Sequence, residues 1–136
     1  MMNYWINGEF GPALHEQPRS WVTFDQIAIP RYPKLVFATA IAPDCQDRSM
    51  GARFGIEIQG SSGTTTVFSR DKRPKVRLAD RNWVEGLLDL SPWIGQSVLM
   101  TLLTDALDPN TTCAWALWRD LIIDPSPLPF PQGRRI

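Results

Sequence analysis

The stretch DLSPWIGQ, residues 89–96, decides how this chain is read. It joins an apolar segment ending in Asp-Leu to a second one, SVLMTLLTD (97–105). Proline lacks the amide hydrogen that the first position of a helical turn leaves unpaired, so Pro92 suits the start of a single turn capped by Ser91. Gly95 can adopt positive φ and reverse the chain. The expectation is a one-turn crossover between two sheets, in which the Ser91 side chain satisfies backbone donors and Trp93 or Ile94 plugs one end of the core. One carboxylate, one hydroxyl and one amide among apolar residues, with no base beside the serine, read as architecture rather than catalysis.

Outward from this turn the apolar residues keep a period of two, supplied by β-branched and aromatic side chains. Seven segments carry it: 20–29, 34–42, 52–59, 64–70, 82–90, 97–105 and 113–123. KLVFATAIA (34–42) is almost continuously apolar and is expected between two layers, whereas ARFGIEIQ (52–59) puts Phe54, Ile56 and Ile58 on one face. QGSSGT (59–64) reads as a hairpin turn. Short strands separated by Gly, Pro, Asn and Asp clusters, with no convincing helix between them, predict an all-β antiparallel sandwich rather than βαβ units.

The 136 residues suit one domain, with 43% hydrophobic content to build a core. Fourteen basic and fourteen acidic residues cancel, so no overall field draws the protein to nucleic acid or an anionic membrane. No signal peptide and no apolar run of membrane-spanning length is present, and a cytoplasmic location is the default expectation. Cys45 and Cys113 form no metal-ligand spacing, and a reducing compartment would leave them as thiols.

A strand ending in DLSPWIGQ, a following VLMTLLTD, a polar loop and then WALWRDLII resemble the carboxy-terminal half of galactose-binding-like jelly rolls, a family that includes carbohydrate-binding modules and accessory domains of glycosidases and glycosyltransferases. LVFATAIAP and GARFGIEIQG with TTTVFS fit the same pattern, so the resemblance covers about residues 34–123. It implies a jelly-roll sandwich of about seven to nine strands, residues 20–124, between an irregular arm (1–19) and a proline-rich tail (125–136). Where the family has Gly-x-Pro after the second tryptophan, this chain has Arg119, Asp120 and Leu121, which predicts a less kinked strand end. The acid usual ahead of that strand is replaced by Cys113 or Ala114.

Six tryptophans invite a sugar-stacking reading, because an indole face packs against the apolar face of a pyranose. Trp118, sharing a strand face with Ala116, is expected in the core. Trp83 is expected to pack across the sandwich, and Trp115 is either solvent-facing or covered by a neighbouring segment. Trp5 and Trp93, in less regular segments, are the stacking candidates. Two polar loops add candidate ligand residues: Asp44, Asp47 and Arg48 in 42–51, and Asp105, Asp108 and Asn110 in 105–112. Carboxylates and amides there could bind sugar hydroxyls, or with backbone carbonyls hold a structural calcium ion; the same residues are also ordinary turn formers. No organic cofactor is implied.

Catalysis finds no support in the pattern. His15, the only histidine, is read as an exposed loop residue, and no nucleophile elbow, H-E-x-x-H helix, P-loop or CxxC pair occurs. RDKRPK (70–75) has no interleaved aromatics and reads as a solvated hairpin end rather than a nucleic-acid site. In the tail, PSPLPFPQGRRI favours an extended polyproline conformation, with Leu128 and Phe130 as possible anchors in a groove of this chain or a neighbour. The apolar residues of the amino-terminal arm predict that it docks on the sandwich or on a partner. Two functions fit: a non-enzymatic carbohydrate-binding domain, or a structural subunit in which the arms make protein contacts, with a homo-oligomer as one form.

Overall fold

A computed structural model describes residues 2–6, 9–16, 19–42, 49–108 and 116–124. Its strands are β1 (Met2–Ile6), β2 (Glu9–Glu16), β3 (Ser20–Ala28), β4 (Lys34–Ile41), β5 (Ala52–Gly60), β6 (Gly63–Lys72), β7 (Val84–Asp89), β8 (Ser97–Ala106) and β9 (Ala116–Asp124). They form two antiparallel sheets, ordered β1-β2-β9-β4-β7 and β3-β8-β5-β6. From β2 onward, both sheets draw on strands from the two ends of the chain, the arrangement of a jelly-roll sandwich. All seven segments read from the period of two contain strands, residues 113–115 of the last lying outside the described residues. Gly60 pairs with Gly63 across Ser61 and Ser62, closing the expected hairpin.

The amino-terminal arm is the first correction. Residues 2–6 and 9–16 are not irregular: β1 and β2 pair antiparallel, and β2 pairs with β9 through Leu14↔Trp118 and Glu16↔Ala116. His15 therefore lies in a strand, opposite Leu117, rather than in a loop. The irregular reading failed because NGEFGPALHE lacks period-two alternation, and long-range pairing with β9 supplies what local pattern does not.

Between the sheets, Leu35, Phe37 and Ile41 of β4 and Trp118 of β9 meet Phe54, Ile56 and Ile58 of β5 and Met100 and Leu102 of β8. Trp118 is 1% exposed, with ring centroids of Phe54 at 5.3 Å and Phe37 at 5.9 Å. On the opposite face of β4, Ala38, Ala40 and Ala42 join Leu117 and Trp83 in a second buried cluster. Trp83 thus covers the outside of the five-stranded sheet instead of packing across the sandwich, and the Arg119 guanidinium lies 4.3 Å from its ring centroid. Small alanines on alternate positions leave the room that the indole fills.

β9 bends where a straighter strand was expected. Val36 pairs with Ile122 and Ala38 with Arg119, so β9 carries one extra residue, and Asp120 takes φ +55°. Aspartate tolerates this left-handed conformation better than most residues, so it can serve a bulge without glycine.

At DLSPWIGQ the crossover is present as a 3₁₀ turn, Ser91–Trp93, but its capping is reversed. Ser91 is inside the turn, and its N–H (2.9 Å) and its hydroxyl both donate to Asp89 Oδ1. The carboxylate, not the serine, satisfies the backbone donor; the Ser91 hydroxyl and amide hold the Asp89 carboxyl below the usual range. Trp93 enters the core and Ile94 stays outside. Gly95 has φ +84° with open space around its missing side chain. Gly95→Val is therefore expected to cost about 1–3 kcal/mol through backbone strain alone. Chemical denaturation would show it, and Gly95→Asn should recover part of the loss.

Candidate functional site

The strand ends that flank 42–51, 73–83 and 107–115 lie at one end of the sandwich. Asp44, Asp47, Arg48 and Asn110 lie outside the described residues, as do Leu128 and Phe130 of the tail. Asp105 is exposed and accepts from Arg19 Nε at 3.3 Å. It stands on β8 directly opposite Arg53, while Asp108 lies beyond the end of that strand. Among the described residues no group of three or more His, Cys, Asp or Glu is placed to hold a metal ion. Trp5 is in β1 opposite Phe10, and its side chain lies outside the described set.

Trp93 is not available for stacking. It is 9% exposed within the core, and a side chain at Gly60 would press on its ring at 2.7 Å. Among the described side chains, the exposed indole is Trp21, at 68%. It projects from β3 on the outer face of the four-stranded sheet. Trp21 stands opposite Leu103, Leu103 opposite Gly55, and Gly55 opposite Ser69, so one row crosses all four strands. A neighbouring row is Asp105, Arg53 and Asp71; on the other side run Thr23, Thr101 and Glu57.

Chemistry divides this face into a floor and two borders. Leu103 and Gly55 make a low floor beside the indole. On one border Arg53 holds Asp71 in a two-pronged ion pair, Nε–Oδ1 2.7 Å and Nη2–Oδ2 3.2 Å. Fork-on-fork pairing fixes both side chains while leaving N–H groups and lone pairs directed outward. The Arg53 guanidinium, by hydrogen bond and charge, keeps the Asp71 carboxyl below its usual range. On the other border Thr23 and Thr101 share a hydroxyl contact of 3.2 Å. An exposed aromatic ringed by fixed polar groups can stack on a flat, partly apolar molecule and hydrogen-bond its rim.

Three buried ionisable groups lie at the loop end: Glu16, Lys72 and Asp80. Glu16, 4% exposed, accepts from Ser20 Oγ at 3.3 Å, and Ser20 contacts Thr104 Oγ1 at 3.2 Å. Burial pushes its carboxyl up from 4.5 to about 7, against the Ser20 hydroxyl and the Trp118 indole, which favour the ion. Lys72, in the run read as a solvated hairpin end, is fully buried and donates to the Asn82 carbonyl at 2.9 Å. Burial lowers its ammonium from 10.5 to about 8, partly offset by Asp80. The solvated reading failed because Lys72 shares the inward face of β6 opposite Ala52.

Glu16 makes stability depend on pH. Between about 4.5 and 7 the folded state binds more protons than the unfolded chain, so stability falls as pH rises through this window. Glu16→Gln removes the buried charge. It is expected to stabilise by about 1–3 kcal/mol at pH 8 and to change little below pH 4.5, measured by denaturation at both pH values.

Trp21 was missed although its signal was local. In SWVTFD its period-two companions are Thr23 and Asp25, whereas Val22 and Phe24 share the inward face. A tryptophan on the polar phase of a strand is the mark of an exposed aromatic. Glu16 had no such signal.

The architecture and this face define a jelly-roll sandwich that exposes an aromatic, polar-bordered sheet surface. No family model matches the chain. Over 109 residues the chain is 31% identical to an uncharacterized protein of Archaeoglobus fulgidus, an alignment that takes in 78% of this chain and 27% of that protein. The chain thus spans about a quarter of that relative's length. Among the described residues, no helix is long and apolar enough to cross a membrane.

Proposed function

We propose that the protein is a non-catalytic glycan-binding domain, similar to the carbohydrate-binding modules among galactose-binding-like jelly rolls, and that it binds through the outer face of its four-stranded sheet. The observation that carries the reading is Trp21, 68% exposed in a row with Leu103, Gly55 and Ser69. A protein-binding hot spot concentrates apolar area and sheds charge from its centre. Here the indole is bordered within one residue row by ion pairs and hydroxyls, which suits a ligand with one apolar face and a hydroxylated rim. The match to about a quarter of a longer archaeal protein supports a domain that also occurs within larger chains.

A glycan array followed by calorimetry on the bound sugar tests the reading. Trp21→Ala should weaken binding at least tenfold, ~1.4 kcal/mol, without lowering the melting temperature. Gly55→Val serves as a second probe. A Cβ there makes only ordinary contacts, the nearest at 3.6 Å to the Phe68 carbonyl, so the fold should tolerate it while the floor is filled. A blank array, or binding indifferent to both variants, would overturn the proposal. A blank array accompanied by a discrete oligomer in light scattering would instead favour a structural subunit.

A further inference from the structure

The connection between β6 and β7 carries a second surface, away from the Trp21 row. Its tip reads KVRLA, residues 75–79, and all five are exposed. Val76 is 74% exposed and Leu78 76%, the two most exposed large apolar side chains among the described residues. Lys75 and Arg77 alternate with them, and Arg73 and Arg81 flank the tip on either side.

The base of the connection holds the tip in this conformation. Buried Asp80 accepts the Arg73 backbone N–H at 2.7 Å, Arg81 Nε donates to the Pro74 carbonyl at 2.7 Å, and buried Lys72 donates to the Asn82 carbonyl at 2.9 Å. Between these ties run two turns, closed by the Arg77 N–H on the Arg73 carbonyl at 2.9 Å and the Asp80 N–H on the Arg77 carbonyl at 3.1 Å. Pro74 and Asp80 take the buried places, so the two aliphatic side chains are left in water.

Apolar area fixed in water is area that a partner can cover with gain. Two side chains fall far short of the ~1,200 Å² that a stable protein interface buries, whereas a bilayer takes apolar groups into its headgroup boundary without matching their shape. The cations decide which bilayer. Arg77 lies 3.8 Å from Asp80 and Arg73 4.0 Å from Asp71, so neither guanidinium is an unmatched anion site. A charged lipid surface responds instead to the local sum of charge. Residues 73–81 carry Arg73, Lys75, Arg77 and Arg81 against one carboxylate, Asp80, and the neighbouring Asp71 is matched by Arg53. A chain of zero net charge thus has a locally basic tip.

We infer that the β6–β7 connection docks the protein reversibly on an anionic lipid bilayer, with Val76 and Leu78 entering the headgroup boundary and Lys75 and Arg77 meeting the lipid phosphates. The aliphatic stems of the two cations can stay beside the apolar pair while their heads reach the charge. The inference is independent of the glycan reading, because it uses no residue of the Trp21 row.

Co-sedimentation of the full chain with vesicles tests it, comparing phosphatidylcholine with an equimolar mixture of phosphatidylcholine and phosphatidylserine. The mixed vesicles should bind about tenfold or more tightly, with the gap narrowing as salt rises. Val76→Ser with Leu78→Ser should weaken that binding about tenfold at an unchanged melting temperature, because both side chains are already solvated. Lys75→Glu should narrow the gap between the vesicles about fivefold, and Trp21→Ala should leave it as it is. Equal binding to both vesicles, or a gap indifferent to Lys75→Glu, would overturn the role given to the cations. Binding that survives the double substitution, or that is lost with Trp21→Ala, would overturn the assignment to this tip. Failure to bind either vesicle would overturn the inference outright; a discrete oligomer that the double substitution splits in light scattering would then make the tip a protein contact.

Discussion

Trp118→Ala is expected to destabilise the fold by about 3–5 kcal/mol, a large share of the ~5–15 kcal/mol that holds a domain of this kind together. The indole is 1% exposed and sits among Phe37, Phe54 and Phe68, with centroids at 5.3–6.5 Å. Its strand, β9, pairs with both β2 and β4, so the side chain ties the amino-terminal hairpin to the centre of the sheet. Removing it leaves a cavity whose walls belong to both sheets and cannot collapse together. Denaturant titration would measure the loss, and an effect below about 1 kcal/mol would contradict this placement. Trp118→Phe keeps most of the volume and should cost less. It also removes the indole N–H that favours the ionised form of Glu16. The Glu16 carboxyl should therefore titrate still higher in that variant, which a pH series of stability would detect.

A comparable loss, about 3–5 kcal/mol, is expected for Gly51→Ala, although the change adds a single methyl group. Gly51 has φ +97°, and a Cβ there would overlap the Lys72 carbonyl oxygen, which belongs to the backbone and cannot swing away. Two penalties combine, a backbone conformation that L-residues avoid and a clash with the facing strand. The clash also has a direction. Displacing Lys72 disturbs the buried ammonium that holds the Asn82 carbonyl, and with it the 73–83 connection. The variant should therefore lose more melting temperature than Gly95→Val. By contrast, Gly95→Val meets open space and should leave ligand binding intact. Comparing the two separates a steric glycine from a merely conformational one.

Much of this fold was legible in the sequence. Period-two alternation marked seven of the nine strands, because a half-buried strand must send alternate side chains to opposite environments. The same rule sent Trp118 inward, and it held the sign of Trp21, whose phase partners are polar. Proline at 92 and glycine at 95 announced the crossover, since each restricts or permits backbone angles whatever surrounds it.

Other features depended on which strands meet. Nothing local in NGEFGPALHE indicates that β2 will lie against β9. Nor does a neighbour in sequence bury Glu16 and Lys72: they are desolvated by strands and loops distant in the chain. The capping of DLSPWIGQ went to Asp89 because the β7 terminus positions its carboxylate beneath the Ser91 amide. The candidate binding face is the clearest case. Trp21, Leu103, Gly55 and Ser69 come from four strands, and only antiparallel register sets them in one row. The sequence by itself determined which residues prefer strands, which face of each strand is apolar, and where the chain can turn, because these follow from backbone sterics and side-chain polarity. The tertiary structure decided which faces adjoin and which charges lose their water, because register and burial arise only when distant segments pack.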